Sequence, residues 1–484
     1  MVPPLGAGAT ARDAALEALR RVDEAHGTLR DELHDLFTEL PLPPRDRALA
    51  LQLAAGTIRH RRTLRLLLSH LRGGHGREGA IQAPLRRILE LGAFQLLFLD
   101  RVPDYAVVSE AARAARCTAH GRQADRAAGF VNAMLRSLRR IIVGRDPDGR
   151  PARDAIPHPE GGVVRLGAAV LPDPGAGFAA FLGAAYSFPD WLAARWLAVY
   201  GDRAEEICRW SNRRPRLFAR ARPPTAPEGE SSRDRTSSRD RKVAVTPPAQ
   251  DARALTAAAP GNEAARAAID VSSLAPEQFE ALLDSGALTI QDPAAMQAAR
   301  ALAPAPGESV LDLCASPGTK TTQIAEMKGD CGLIVACDRT EEKLAPLRQA
   351  LAARGLRSVA ACLPDALAAA APPGGFDAAL ADVPCSNTGV LARRVEARWR
   401  LRPEDLEELP RLQLALLEQA ARLVRPGGRA VYSTCSLQPE ENEGVLRRFL
   451  KASPAWRLVR SDLLLPGPEH DGAFWALLHM ESLV

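Results

Sequence analysis

Ser309-Val-Leu-Asp-Leu-Cys-Ala-Ser-Pro-Gly-Thr-Lys320 decides how the second half of the chain folds. Its first five residues form a short apolar run of strand type, and the turn Cys314-Ala-Ser-Pro-Gly-Thr-Lys320 leads at Thr321 into a helix. So tight a turn after a first strand lets backbone N–H groups and a helix N-terminus approach a ligand. It is not a phosphate-binding P-loop, because Thr319 rather than glycine precedes Lys320 and that motif's first glycine is missing; nor is it G-x-G-x-x-G.

Further apolar runs follow at Leu333–Cys337, Val359–Leu363, Ala378–Ala381 and Ala430–Ser433, separated by helical stretches such as Glu341–Arg354 and Glu407–Leu423. Alternation of this kind predicts a parallel sheet with helices on both faces from about residue 285. Ligands of such folds sit at the carboxyl ends of the strands. Asp338 ends the second strand, where a carboxylate can accept both hydroxyls of a ribose. Dinucleotide folds share that feature, so these two elements alone leave the cofactor open. Asp365 follows the third strand and Asp382 the fourth.

Two segments narrow the choice. Asp382-Val-Pro-Cys385-Ser-Asn-Thr-Gly389 follows the fourth strand, and Ser433-Thr-Cys435-Ser436 follows the fifth. Strand ends converge in one sheet, so Cys385 and Cys435 can flank one pocket although fifty residues separate them. Cys208, Cys331, Cys337 and Cys362 are read instead as small buried hydrophobes. With eight cysteines in 484 residues, none in a C-x-x-C pair or at zinc-ligand spacing with histidine, neither a disulfide framework nor a metal site is expected.

Residues 10 to 142 read differently, as helix after helix. Leu85, Ile88, Leu89, Leu91, Phe94 and Leu96 recur at helical spacing within Ala83–Leu99, with Pro84 suited to a first turn. Asp46–Leu71, Tyr105–Arg116 and Asp125–Ile141 are similar. Of the net charge of +5, residues 1–150 hold 24 Lys and Arg against 17 Asp and Glu, which leaves the remainder at −2. A basic front suggests a polyanionic partner. Arg59, Arg61, Arg62, Arg136, Arg139 and Arg140 are its candidate contacts, set against the plainer reading of a solvated face. Between the two regions, Val143 to Pro189 is rich in Gly, Pro and Asp, Trp191–Trp210 is helical again, and 223–250 carries the near-repeat SSRDR twice and is expected to be a mobile insertion. Neither a signal peptide nor a membrane-length apolar run is present, so a cytoplasmic protein is expected.

The segments from Gln291-Asp292 to Pro439-Glu-Glu-Asn442, with Asp471-Gly472 and Phe474-Trp475, resemble the Nop/Sun family of RNA cytosine-C5 methyltransferases. Glu90-Leu-Gly-Ala-Phe-Gln-Leu-Leu97 and Gly129-Phe-Val-Asn-Ala-Met-Leu-Arg136 resemble a NusB-type RNA-binding domain. The resemblance implies a multidomain chain: an all-α NusB-like domain at 8–142, a connecting region at 143–284, and an α/β Rossmann-like class I methyltransferase domain at 285–484. It implies S-adenosylmethionine as cofactor and RNA as partner, 16S ribosomal RNA or an assembling small subunit, acted on by a monomer.

Carried over by position, Cys314, Ala315, Ser316, Pro317, Gly318, Thr319 and Lys320 would hold the methionine and adenosine portions of the cofactor. Asp338 would hold its ribose, Asp365 would border the adenine, and Asp382 would bridge cofactor and base. Cys435 would attack C6 of cytosine and Cys385 would help release product. The N3 contact is assigned to Asp382 in its protonated form. Thr319 departs from the family's usual glycine, which puts the width of the cofactor loop in question. A DNA cytosine-C5 methyltransferase would use Pro384-Cys385 as nucleophile but has no second cysteine after the fifth strand. A non-catalytic RNA-binding factor would not need both thiols, and a small-molecule methyltransferase would not need the basic helical front.

Overall fold

The computed structural model describes residues 9–24, 27–73, 81–222 and 268–482. The 223–250 insertion lies outside them. The chain forms two compact units: residues 1–214 with 391–401, and residues 215–390 with 402–484. These divisions differ from those read in the sequence, because 143–214 joins the helical unit and 215–284 joins the second.

Among the described residues the first unit opens with seven helices from Ala11–Glu24 to Arg122–Ile141. The stretch read as one helix over Asp46–Leu71 is two, Pro44–Arg59 and Arg61–Leu71, broken at His60. A three-stranded antiparallel sheet follows, Ile142–Asp146, Ala155–Pro157 and Val163–Leu166, with the last strand in the centre. These strands span three to five residues each between Gly, Pro and Asp turns, too short to show as a periodic run in the sequence. Three helices complete the unit, Phe178–Ala185, Asp190–Tyr200 and Arg203–Asn212.

Segment 391–401 is held into this unit by Arg398. Its guanidinium is fully buried and donates to Asn212 Oδ1 (2.6 Å), Ser211 O, Leu391 O and Arg59 O, while lying 4.3 Å over the Phe188 ring. Burial among neutral acceptors pulls its pKa well below the ordinary value. Trp399 Nε1 adds a bond to Ile58 O.

In the second unit seven strands form one sheet: β1 (Ser309–Leu313), β2 (Leu333–Cys337), β3 (Val359–Cys362), β4 (Phe376–Asp382), β5 (Val424–Thr434), β6 (Trp456–Leu464) and β7 (Ala473–Met480). Their order is β6-β7-β5-β4-β1-β2-β3, parallel from β5 through β3, with β7 antiparallel to β5 and to β6. Both faces are buried, which is why the strands read as unbroken apolar runs. Leu311, Ala379, Tyr432 and Phe474 pack on one face with Phe449. Val310, Ile334, Leu380 and Val431 pack on the other with Leu302 and Ile324. The helices that concern the site are α1 (Thr319–Met327), α2 (Glu341–Arg354), α3 (Asp405–Arg422) and α4 (Glu443–Ala452).

A small antiparallel sheet precedes this core, with Phe218–Ala221 between Ile269–Asp270 and Leu288–Ile290. Its fully buried Arg220 pairs with Glu326 of α1 and donates to Gln291 Oε1 (3.0 Å) and Thr322 Oγ1 (3.1 Å). The sheet is thereby tied to the helix that begins at the Cys314–Lys320 loop. Among the described residues no helix is long and apolar enough to cross a membrane.

Candidate active site

Register places the site. Leu313 pairs with Cys337 and Cys337 with Cys362, while Asp382 pairs with Ser433, so β1 to β5 end along one edge of the sheet. Cys385 lies three residues beyond the end of β4 and Cys435 directly after β5. Their sulfurs are 3.0 Å apart.

The loop around the thiols is fixed by polar groups. Asn387 has φ of 60°, a conformation asparagine tolerates better than most residues. Its amide donates to Cys385 O (2.9 Å), and its Oδ1 accepts from Cys435 Sγ (3.3 Å). Glu441 is fully buried and gathers Ser386 N, Gln413 Nε2 and Ser436 Oγ. Asn442 bonds Thr434 Oγ1 and Ser436 O. Gly389 donates to Cys435 O and accepts from Gly472 N, both at 2.8 Å. A Cβ at Gly389 would stand 2.4 Å from Gly472 O, so only glycine allows the loop that leads into β7 to approach. Its hydrogen bond with Cys435, together with desolvation, holds Cys385 well above the ordinary thiol range. Cys385 therefore keeps its proton.

Asp382 accepts from Lys320 Nζ (2.6 Å) and from Ser433 Oγ (2.5 Å). Burial works against the Lys320 charge, but the Asp382 carboxylate and its hydrogen bond raise the ammonium above its ordinary value. In this geometry both Asp382 oxygens are engaged, one of them by the Lys320 ammonium.

The Cys314–Lys320 loop runs over the end of β1. Cys314 carries φ of 87° and its thiol is pushed up by burial. Ala315 is buried, Ser316 N donates to Asp338 Oδ2 (3.0 Å), and Pro317 is exposed. Gly318 takes φ of 103°, with Leu347 so close that an added Cβ would meet its Cδ1 at 2.6 Å. The left-handed turn thus falls on Gly318, and Thr319 is an ordinary first helical residue of α1. The side chain that departs from the family pattern costs the loop no backbone strain.

Asp338 is buried and accepts from two backbone amides, with Lys343 Nζ at 3.6 Å. Asp365 is exposed just past β3.

Asp312, in β1, escaped the sequence reading. It is buried, its Oδ2 accepts from Thr321 Oγ1 (2.6 Å), and its Oδ1 has no hydrogen-bond partner among the described residues. Burial pushes it up to about 7, aided by Asp382 and Asp338 and opposed by Lys320. Asn387 and Glu441 also escaped, since each acts through tertiary contacts. Their signals were indirect: a polar residue two beyond Cys385, and a quoted motif, Pro439-Glu-Glu-Asn442, with no role attached.

Other expectations are redirected. Cys208 and Cys337 are buried and Cys362 is partly buried, but Cys331 is exposed, on the turn after α1. The front arginines are largely committed within their own unit. Arg59 is buried on Ala392 O, Arg61 pairs with Asp23, Arg62 with Asp190 and Arg139 with Asp104, while Arg140 bonds Ser137 Oγ.

A chain with this geometry has relatives. Residues 299–470 match the family model described as 16S rRNA methyltransferase RsmB/F, and residues 9–140 match the NusB family. A protein of Synechocystis sp. named as a probable ribosomal RNA small subunit methyltransferase B is 32% identical over 93% of this chain and 90% of its own length. The ribosomal RNA small subunit methyltransferase B of Vibrio cholerae is 29% identical over 96% of each chain. The crystal structure of PH0851, 22% identical, shares the fold, with a TM-score of 0.68 over 98% of this chain and 99% of that one. With a NusB-family domain in front and paired thiols at the ends of its fourth and fifth central strands, the chain belongs to the RsmB/F family of methyltransferases, which use S-adenosylmethionine.

Proposed function

We propose that this protein methylates C5 of a cytosine in RNA, most directly 16S ribosomal RNA, through a covalent bond from Cys435 to C6. The observation that carries the reading is the pair of thiols 3.0 Å apart at two neighbouring strand ends, beside the Lys320–Asp382 pair.

The cofactor loop fits S-adenosylmethionine by its donor set. Asp338 and Asp382 stand near Asp312, with Lys320 held on Asp382, an acidic cradle suited to a ligand that carries both a sulfonium and an ammonium. The Asp312 Oδ1 is a buried acceptor without a donor among the described residues. Residues 314–320 would hold the methionine and adenosine portions, Asp338 the ribose, and Asp365 would border the adenine. When bound, the cofactor supplies an electrophilic methyl group.

Cytosine C5 is a poor nucleophile until a thiolate adds at C6. Cys435 forms that bond, and the displaced electron pair moves toward N3. Lys320 then holds the proton available to the ring, while Asp382, already an acceptor, takes the exocyclic amino group. Cys385, kept as a thiol, does not compete for C6. After methylation the C6–S bond breaks with its electron pair on Cys435, which takes the thiol proton of Cys385 from 3.0 Å away; the Cys385 thiolate so formed takes the C5 proton, whose electron pair forms the C5–C6 double bond. Because C6 is inaccessible in a stacked base, the target cytosine belongs in a loop or single strand.

Incubation of the protein and cofactor with unmodified small-subunit ribosomal RNA, followed by bisulfite sequencing, tests the reading. Protection of a defined cytosine is expected. Methyl incorporation without a protected cytosine, or no incorporation into any RNA, overturns it.

A further inference from the structure

We propose that the outer face of α4 is a second RNA-contact site, a cationic groove that takes backbone phosphates flanking the target cytosine. The proposal rests on the RNA methyltransferase reading above. Arg447, Arg448 and Lys451 line one groove with Pro439, Glu440 and Gly444. Arg447 and Lys451, like Gly444 and Arg448, are four residues apart, so the cations share one side of the helix. The other side is spent on packing, with Val445, Leu446 and Phe449 buried.

The three cations are exposed, and none has a hydrogen-bond or ion-pair partner among the described residues. In the helical unit the exposed Arg113 and Arg139, and the partly exposed Arg20, are paired with carboxylates. One carboxylate, Glu440, lines the groove, which leaves its net charge positive. Lys451 sits in the last turn, where a cation also complements the helix dipole, but Arg447 and Arg448 are mid-helix and have no such reason to be there. Gly444 keeps the floor open: an added Cβ would approach Pro439 O to 3.0 Å.

The groove is also rigidly joined to the thiols. Its floor at Pro439 and Glu440 continues directly from Cys435, and the next two residues, Glu441 and Asn442, clamp Ser386, Ser436 and Thr434. An RNA strand seated with its cytosine at Cys435 therefore meets a fixed row of cations along a helix roughly 15 Å long. Arginine and lysine on phosphates supply sequence-independent affinity that falls with salt.

The test compares the full chain with the variant carrying Arg447→Gln, Arg448→Gln and Lys451→Gln. Binding to a labelled ribosomal RNA fragment is followed by fluorescence anisotropy across a salt series, with cofactor binding as the check that the fold is intact. Three lost phosphate contacts reduce the slope of log K against log salt by roughly 2 to 3. Affinity near physiological salt is expected to fall about tenfold or more, with kcat at saturating RNA and cofactor affinity unchanged. Neutralising Arg20, Arg113 and Arg139 instead should change the slope much less. An unchanged slope in the α4 variant, or an equal change in the control, overturns the groove and leaves a solvated face. Anisotropy needs no turnover: a chain that binds RNA through α4 but transfers no methyl group would refute the methyltransferase reading and keep the groove.

Discussion

Asp312 joins a titration to the proposed cofactor site. Its ordinary pKa is 3.8 and burial pushes it up to about 7, so between those values the folded chain holds a proton that the unfolded chain has released. The stability from this proton is fully present below about pH 4 and is lost as pH rises toward 7, an effect of up to roughly 4 kcal/mol. Asp312→Asn should remove that dependence. Thermal scans of cofactor-free protein from pH 4.5 to 8 are expected to show the wild type losing stability relative to the variant; parallel curves would contradict it. The same position marks where residue-level reading stopped. Cys385, Cys435, Asp338 and Asp382 were legible because each follows a strand end and strand ends converge. Asp312 lies inside an apolar run, and its importance comes from an oxygen left without a donor. Asn387 and Glu441 sit in loops whose partners are many residues away, as in the bond from Ser386 N to Glu441.

Among the elements, β1, β2 and α2 begin and end as the sequence suggested, because apolar runs buried on both faces admit few alternatives. β6 is an edge strand whose Arg457, Leu458, Val459 and Arg460 are all exposed, so no periodic burial advertised it. The small sheet was equally hidden, since Phe218–Ala221 finds one partner some seventy residues further on, at Leu288–Ile290. Arg220 is what that sheet contributes. Its removal leaves Glu326 in the interior with only Arg354, 3.8 Å away. Arg220→Met should destabilise the second unit by about 3–5 kcal/mol, and pairing it with Glu326→Leu should recover much of the loss. Hydrogen exchange on α1 reports this unit directly; a single variant as protected as wild type would show that the buried pair does not secure the loop helix.

For the whole molecule, the sequence announced a helical front and an α/β back but drew the border by texture near residue 285, whereas contacts place it at Arg214/Pro215 and return 391–401 to the first unit. Texture cannot reveal that a segment from one half completes the other. A fragment of residues 1–214 lacks Arg398 and Trp399, leaving Asn212 Oδ1 and the carbonyls of Ser211, Arg59 and Ile58 without those donors. Each unsatisfied buried acceptor costs about 1–3 kcal/mol. A peptide of residues 391–401 added in trans should raise the fragment's Tm by several degrees, and the same peptide with Arg398→Ala should not; equal effects would remove Arg398 from the anchoring role.

All three scales meet at the two sulfurs, and the most direct measurement is a denaturing gel of protein incubated with cofactor and substrate RNA. Addition and elimination ask different things of the two cysteines. If Cys435 adds to C6, Cys435→Ala should lose both methyl transfer and any protein–RNA band while still binding cofactor. If Cys385 serves only the release step, Cys385→Ala should accumulate a retarded covalent band. A band with Cys435→Ala and none with Cys385→Ala would instead make Cys385 the nucleophile, and full turnover by both variants would contradict covalent catalysis in this chain.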